Sequence, residues 1–208
     1  MLYKFEDLSF VKEQHVYHLG RNWVTSPSRV IKDLNLGPDF SNANKANLQY
    51  KTEIGTAAHA CIELLNKGVL DEQTIDPAVI PYVHAYRKFV SASGFSLAGC
   101  EIGIYSNLHN FAMKVDLVGE VNGSLSLIDI KTSTSIHPCV ELQVGAYELG
   151  YNEVNKSRPI SKRFYLHLKQ NGDFRLGECD TSPFLFLDAL KLWEWKRKKG
   201  EIKCPINL

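Results

Sequence analysis

The sequence predicts an α/β fold, and three observations carry that prediction. Two runs of alternating apolar residues turn back on themselves at Asn-Gly pairs, Asn122-Gly123 and Asn171-Gly172, the strongest short-range signal for a tight hairpin. Around them lie segments of helical period with their own start and stop residues. At 208 residues, 44% of them hydrophobic and with no linker-like run, the chain is long enough to bury one substantial core.

In order along the chain, "EQHVYHLGRNWV" (residues 13–24) reads as a small hairpin turning at Gly20. Ser26-Pro27 places a capping hydroxyl before a proline in the first helical position, which opens a helix through Leu34. The following "GPDFSNANKANLQYKTE" is polar, asparagine-rich and unpatterned, so a surface loop is expected. A helix then runs from Thr56 to Lys67, stopped by Gly68, with Ala57, Ala58 and Ala60 allowing close packing on a sheet. Asp76-Pro77 starts another, to about Ser91, whose Tyr82, Tyr86 and Phe89 form a core stripe. After the hairpin Phe111 to Lys131 come a helix from Val140 to Tyr151, a second hairpin from Arg163 to Cys179, and a last helix from about Pro183 to Lys199. That last helix bears Phe184, Leu187, Leu190, Trp193 and Trp195.

Chemistry concentrates in the first of those hairpins. Side chains two apart on a strand share a face, so Asp129 and Lys131 in "LIDIKTSTS" project together while Ile128 and Ile130 point away. Taken alone, they also fit a solvated pair worth under about 1 kcal/mol. With Val121 facing Ser124 across the turn, however, the register sets Asp116 opposite Asp129 and Lys114 opposite Lys131. Facing carboxylates roughly 5 Å apart repel each other. A divalent cation reverses the sign, because hard cations are held by one or two carboxylates plus waters and phosphate oxygens. A lysine beside them orients a water or neutralises charge developing on a phosphate.

Asp116 followed by Asp129-x-Lys131 on the next strand resembles the core of the PD-(D/E)XK nucleases, closest to their RecB-like and phage exonuclease branch. That branch carries a Gly-Thr-x-x-His helix upstream, a glutamate on the preceding strand and a Gln-x-x-x-Tyr helix downstream. Here these are "GTAAH" (Gly55 to His59), Glu101 in "CEIGIYS", and "QVGAY" (Gln143 to Tyr147). The proline that often precedes the first aspartate is replaced by Val115. The resemblance implies a restriction-endonuclease-like core, a mixed central β-sheet flanked by α-helices, over about residues 52–170 of a single domain spanning 1–208. It implies Mg²⁺ or Mn²⁺ as cofactor, held by Asp116, Asp129, the backbone carbonyl of Ile130, His59 and Glu101. Lys131, Gln143 and Tyr147 join the aspartates as catalytic candidates.

The implied activity is hydrolysis of DNA phosphodiester bonds, exonucleolytic, in phage-type recombination, replication or repair. DNA ends would be the substrate and a recombination or replication protein a partner. The alternatives are a binding or assembly protein that kept the fold without the chemistry, and a structure-specific endonuclease or RNase. Each candidate also has a plainer reading: His59 as a core hydrogen-bonding residue, Glu101 as an exposed strand residue, Tyr147 as core. Glu63, one turn beyond His59, shares its face.

Net charge is +1 and the isoelectric point about 7.7, so phosphate affinity must come from local cations. Candidates are Lys45 and Lys51 in the polar stretch, and Lys196 and Arg197 in the basic end of the last helix, where cations also suit the helix dipole. The five cysteines, Cys61, Cys100, Cys139, Cys179 and Cys204, show no C-x-x-C spacing. Without the closely spaced trio of cluster-bearing relatives, no iron–sulfur cluster is expected. No run is apolar and long enough to span a membrane, and a reducing cytoplasm, that of a host cell if phage-encoded, is the expected compartment.

Overall fold

A computed structural model describes residues 8–11 and 16–203. It contains two sheets. The smaller is an antiparallel sheet of β1 (Leu8–Val11), β2 (Val16–Leu19) and β3 (Asn22–Val24), in which the expected hairpin turns at Gly20 with φ +58°. The sequence reading did not anticipate β1, and Glu13 to His15 lie outside the described residues. Leu8, Phe10 and Leu19 pack on a cluster of Tyr17, Val24, Tyr105 and Ala112. Next, α1 (Pro27–Asp33) starts as expected, Ser26 Oγ accepting from the Arg29 N–H at 3.3 Å.

The polar stretch departs from expectation. Its second half is helical, so the helix ending near Lys67 is α2 (Lys45–Asn66), 22 residues long. Asn44 caps it by accepting from the Asn47 N–H, and Thr52 and Thr56 donate to carbonyls one turn back. A helix with no core to face is polar all round, which erases the periodic signal. Gly55 sits inside α2 because a Cβ there would lie 2.9 Å from Thr132 Oγ1. A second correction concerns α3 (Ile80–Ser93): Asp76-Pro77 makes a turn closed by Asp76 Oδ1 and the Ala78 N–H, and it is Pro81 that occupies the first helical turn.

The larger sheet has the order β4 (Ser96–Ser106), β5 (Phe111–Val121), β6 (Ser124–Lys131), β7 (Lys162–Leu168), β8 (Phe174–Glu178). Neighbours are antiparallel except β6 and β7, which are parallel, joined through α4 (Cys139–Val154). The chain closes with α5 (Phe184–Lys198), which buries Phe186, Leu190 and Trp193 and leaves Phe184 and Trp195 exposed. One apolar layer joins α1, α4 and α5 to the sheet through Val30, Val144, Phe186, Ile104, Met113 and Leu127. The other joins α2 and α3 through Ala58, Ile62, Phe89, Leu117, Ile128 and Leu166. This is an α/β fold with a mixed sheet between helical layers.

In one place the sheet breaks its own alternation. Residues two apart on a strand should share a face, yet Cys100 packs with the α2 layer and Ile102 with the α4 layer; Leu117 and Val115 divide the same way. Between them lie Glu101, a non-glycine residue at φ +51°, and Asp116, opposite it in the register. A left-handed residue in a strand costs of order 1–3 kcal/mol and persists only where its surroundings enforce it. Here it turns β4 over, so that the seam between the layers opens at two acidic residues.

Candidate active site

The Asn122-Gly123 turn has φ values of +50° and +76°, and it sets the register Val121–Ser124 through Leu117–Ile128. Backbone pairing of β5 with β6 stops there, so neither Asp116 and Asp129 nor Lys114 and Lys131 pair across the strands as the extrapolated register had them. The physical reason is Asp116 itself. Its Oδ2 accepts the Ile130 N–H at 2.7 Å, so that a side chain takes over where the two backbones part. Asp116 is thereby fixed at the centre, with Glu101 on one side and Asp129 on the other.

His59 reaches this centre from α2. Its Nδ1 lies 3.5 Å from Asp116 Oδ1 and 3.9 Å from Glu101 Oε1, and ligand atoms of these three residues all fall within 4.8 Å of one another. Burial works against a charge on His59, but the Asp116 and Glu101 carboxylates outweigh it and push its pKa up to about 10. Burial also pushes the pKa of both aspartates upward, and there the two diverge. At Asp116 the effect is overcome by His59, Lys131 and the Ile130 N–H, and its pKa falls. Asp129 stays raised, by burial first and with the Asp116 charge adding to it against Lys131.

From the other side, α4 supplies a brace. Lys131 Nζ lies 2.8 Å from Asp129 Oδ2 and donates to Gln143 Oε1 at 3.1 Å; Gln143 Nε2 in turn donates to the Tyr147 hydroxyl at 2.6 Å. The i, i+4 spacing of Gln143 and Tyr147 puts both over the same neighbour. Burial opposes charge on Lys131, but Asp129 and Asp116 more than offset it and its pKa rises. Tyr147 is held neutral by burial and by the same two aspartates.

These groups line a cavity of about 440 Å³, bounded by Thr52, His59, Asp116, Asp129, Ile130, Lys131, Thr132, Ser133, Gln143 and Tyr147. Among the lining residues Asp129 is 1% exposed, and its Oδ2 is paired with the Lys131 ammonium at 2.8 Å. The His59 imidazole and the Asp116 and Glu101 carboxylates at ligand spacing, with the buried Asp129 carboxylate in the same cavity as Asp116, fit a hard divalent cation.

Other candidates are placed elsewhere. Lys45 and Lys51 lie on the exposed half of α2, on a helix instead of the loop expected, along from Thr52 at the cavity mouth. Lys196 pairs with Glu201 at 3.2 Å and Arg197 lies over the Trp193 ring at 5.6 Å. Glu63 pairs with Lys67, outside the cavity lining. Cys61, Cys100, Cys139 and Cys179 are free thiols, and Cys204 lies outside the described residues. Sequence reasoning missed five residues in or beside the site. Thr52, Thr132 and Ser133 line the cavity. His167 holds the Ser133 carbonyl at 2.7 Å through Nε2. Lys114 forms an ion pair with Glu101. The spacing Lys114-x-Asp116 was a signal for the last of these. Thr132 and Ser133 follow Lys131 directly and Thr52 lies about two turns before His59 on α2, while His167 reaches the site only through the parallel pairing of β6 with β7.

No protein-family model matches the chain, and no curated protein sequence matches it. Among solved structures, it is similar to a protein from Eubacterium rectale assigned as an exonuclease (10% identity, TM-score 0.48, 72% of this chain and 69% of that one). It is also similar to an alkaline exonuclease from Laribacter hongkongensis (14%, 0.39, 86% and 93%) and to that exonuclease in complex with dAMP (15%, 0.37, 86% and 95%). Among the described residues no helix is long and apolar enough to cross a membrane.

Proposed function

We propose that this chain is a divalent-metal-dependent nuclease that hydrolyses DNA phosphodiester bonds from strand ends. One observation carries the reading: a single cavity gathers His59, Asp116 and Asp129 around a lysine locked in place by Gln143 and Tyr147. A purely structural sheet has no use for that set. End dependence and a setting in phage-type recombination, replication or repair, with a recombination or replication protein as partner, follow from the resemblance of the sequence motifs. A reducing cytoplasm suits the free thiols.

Asp116, Asp129 and the Ile130 carbonyl would hold Mg²⁺ or Mn²⁺, with His59 and Glu101 completing the ligand set. Such an ion supplies Lewis-acid activation of a water and stabilises charge on the phosphate and leaving oxygen. Lys131 keeps its proton, since Asp129 and Asp116 raise its pKa against burial. It therefore acts as a charged donor that orients the attacking water and balances phosphate charge. Gln143, held by Tyr147, keeps the ammonium pointed into the cavity. Lys45 and Lys51 on the outer half of α2 provide phosphate contacts beside the mouth. Lys196 and Arg197, each already engaged within or next to α5, serve first to finish that helix.

The test is a cleavage assay on end-labelled linear duplex, single-stranded DNA and a covalently closed circle, with and without Mg²⁺ or Mn²⁺. Metal-dependent loss of linear DNA with the circle spared is the expected result. Efficient cutting of the circle moves the chain to the endonuclease side. Metal uptake without cleavage of any DNA or RNA leaves a binding protein on a nuclease fold.

A further inference from the structure

We infer that Lys114 is an internal counter-ion of the metal site: it occupies Glu101 until a divalent cation takes its place, and it thereby sets how tightly the site binds metal. The inference rests on the metal-dependent reading above. Glu101 is nearly buried, its side chain 10% exposed, and β4 is twisted through a left-handed residue to bring it there. A carboxylate so placed needs a positive partner, because removing an unpaired charge from water is costly. Lys114, opposite Gly103 in the strand register, runs to Glu101 and supplies it.

The charges count closely. Glu101, Asp116 and Asp129 face Lys114, Lys131 and the imidazole of His59, so a metal adds two positive charges to a site already near balance. Something must give way. Lys131 is pinned by Gln143 and sits on the buried Asp129. Lys114 is 45% exposed, and its contact with Glu101 is a salt bridge at the rim. An ammonium there swings into water at little cost. It then stands free at the edge of the loaded site, where a phosphate chain would pass.

The experiment is calorimetric titration of Mn²⁺ into the full chain, which reads binding without reference to activity. Lys114→Met is expected to bind Mn²⁺ about three- to fivefold more tightly than the wild type, the scale of one partly exposed ion pair. Lys114→Gln repeats the test should the methionine variant fold poorly, and Lys114→Arg, which keeps the pair, should stay near wild type. In a Glu101→Gln background the same Lys114→Met change should move the affinity less than about twofold. Unchanged or weaker binding in Lys114→Met and Lys114→Gln overturns the inference. So does an equal gain in the Glu101→Gln background, which makes Lys114 a general field effect. A wild type that takes up no Mn²⁺ sinks the metal-dependent reading itself, a different result from wild-type uptake with indifferent variants.

Discussion

Two lysines approach the same three carboxylates, and they are held in opposite ways. Lys131 rests on a fully buried aspartate and is tied through Gln143 to Tyr147, so the half of the site facing α4 is a braced chain of hydrogen bonds. Lys114 rests on Glu101 at the rim, and beside it His59 contacts its acidic neighbours at 3.5 and 3.9 Å, ligand spacing more than hydrogen-bond spacing. One half is rigid and the other exchangeable. That division suits a site in which reacting groups must not move while the cation must come and go.

The strongest way to break the comparison is at the residue both halves share. Asp116→Asn keeps the size of the side chain but removes the charge that faces His59, Lys131 and the Ile130 N–H. Saturable Mn²⁺ binding should be lost and cleavage should fall by at least about a thousandfold, beyond the scale of a single positioned group. Normal Mn²⁺ titration of this variant would show that Asp116 only closes the gap between β5 and β6.

Next in size is the braced half alone. Lys131→Ala should lower the cleavage rate by at least about a hundredfold while Mn²⁺ affinity stays equal or tightens, because the amine positions water and competes with the ion. Tyr147→Phe removes only the far end of the chain and should cost about three- to tenfold in rate, with Mn²⁺ affinity unchanged. A Lys131→Ala rate within a few-fold of wild type would reduce the lysine to a strand-end charge.

The exchangeable half is read through pH. In the metal-free protein His59 holds its proton up to about 10, so an entering ion must displace that proton. Mn²⁺ affinity should therefore climb between pH 6.5 and 8.5, by up to about tenfold per unit, and His59→Gln should flatten the slope. A slope unaltered in His59→Gln would place the displaced proton elsewhere.

The same contrast runs between what was legible in the sequence and what was not. The braced half was legible, because Asn122-Gly123 fixes a register up to Leu117–Ile128, one residue short of Asp116 and Asp129, and helical spacing brings Gln143 and Tyr147 together. In the exchangeable half, His59 and Glu101 came only from the family resemblance, and the pairing of Lys114 with Glu101 was not read at all. Glu101 depends on a backbone flip that no residue type announces, since a left-handed glutamate looks like any other. The outer half of α2 was hidden because a helix with no buried face shows no period, and its asparagines and threonines read as loop residues while bonding within the helix. Asp76-Pro77 reads as a helix start, but Asp76 closes a turn with the Ala78 N–H and Pro81 occupies the first helical turn instead.

The smallest expected effect concerns stability without metal. His59 has a folded-state pKa raised from its ordinary 6.5 to about 10 by Asp116 and Glu101 against burial. A raised value means that the folded state holds its proton more tightly than the unfolded chain does, so the stabilisation is fully present below about pH 6.5 and is lost as pH rises through about 10. The melting temperature of the metal-free protein should thus fall between pH 7 and 10, by about 2–4 °C for each kcal/mol lost in a chain of this size. His59→Gln should melt lower than wild type at pH 7 and converge with it near pH 10. Saturating Mn²⁺ should raise the wild-type curve most at the alkaline end, where the imidazole is already free. Parallel wild-type and His59→Gln curves across that range would mean that the carboxylates of the exchangeable half are balanced by Lys114 alone, and that His59 waits beside them uncharged.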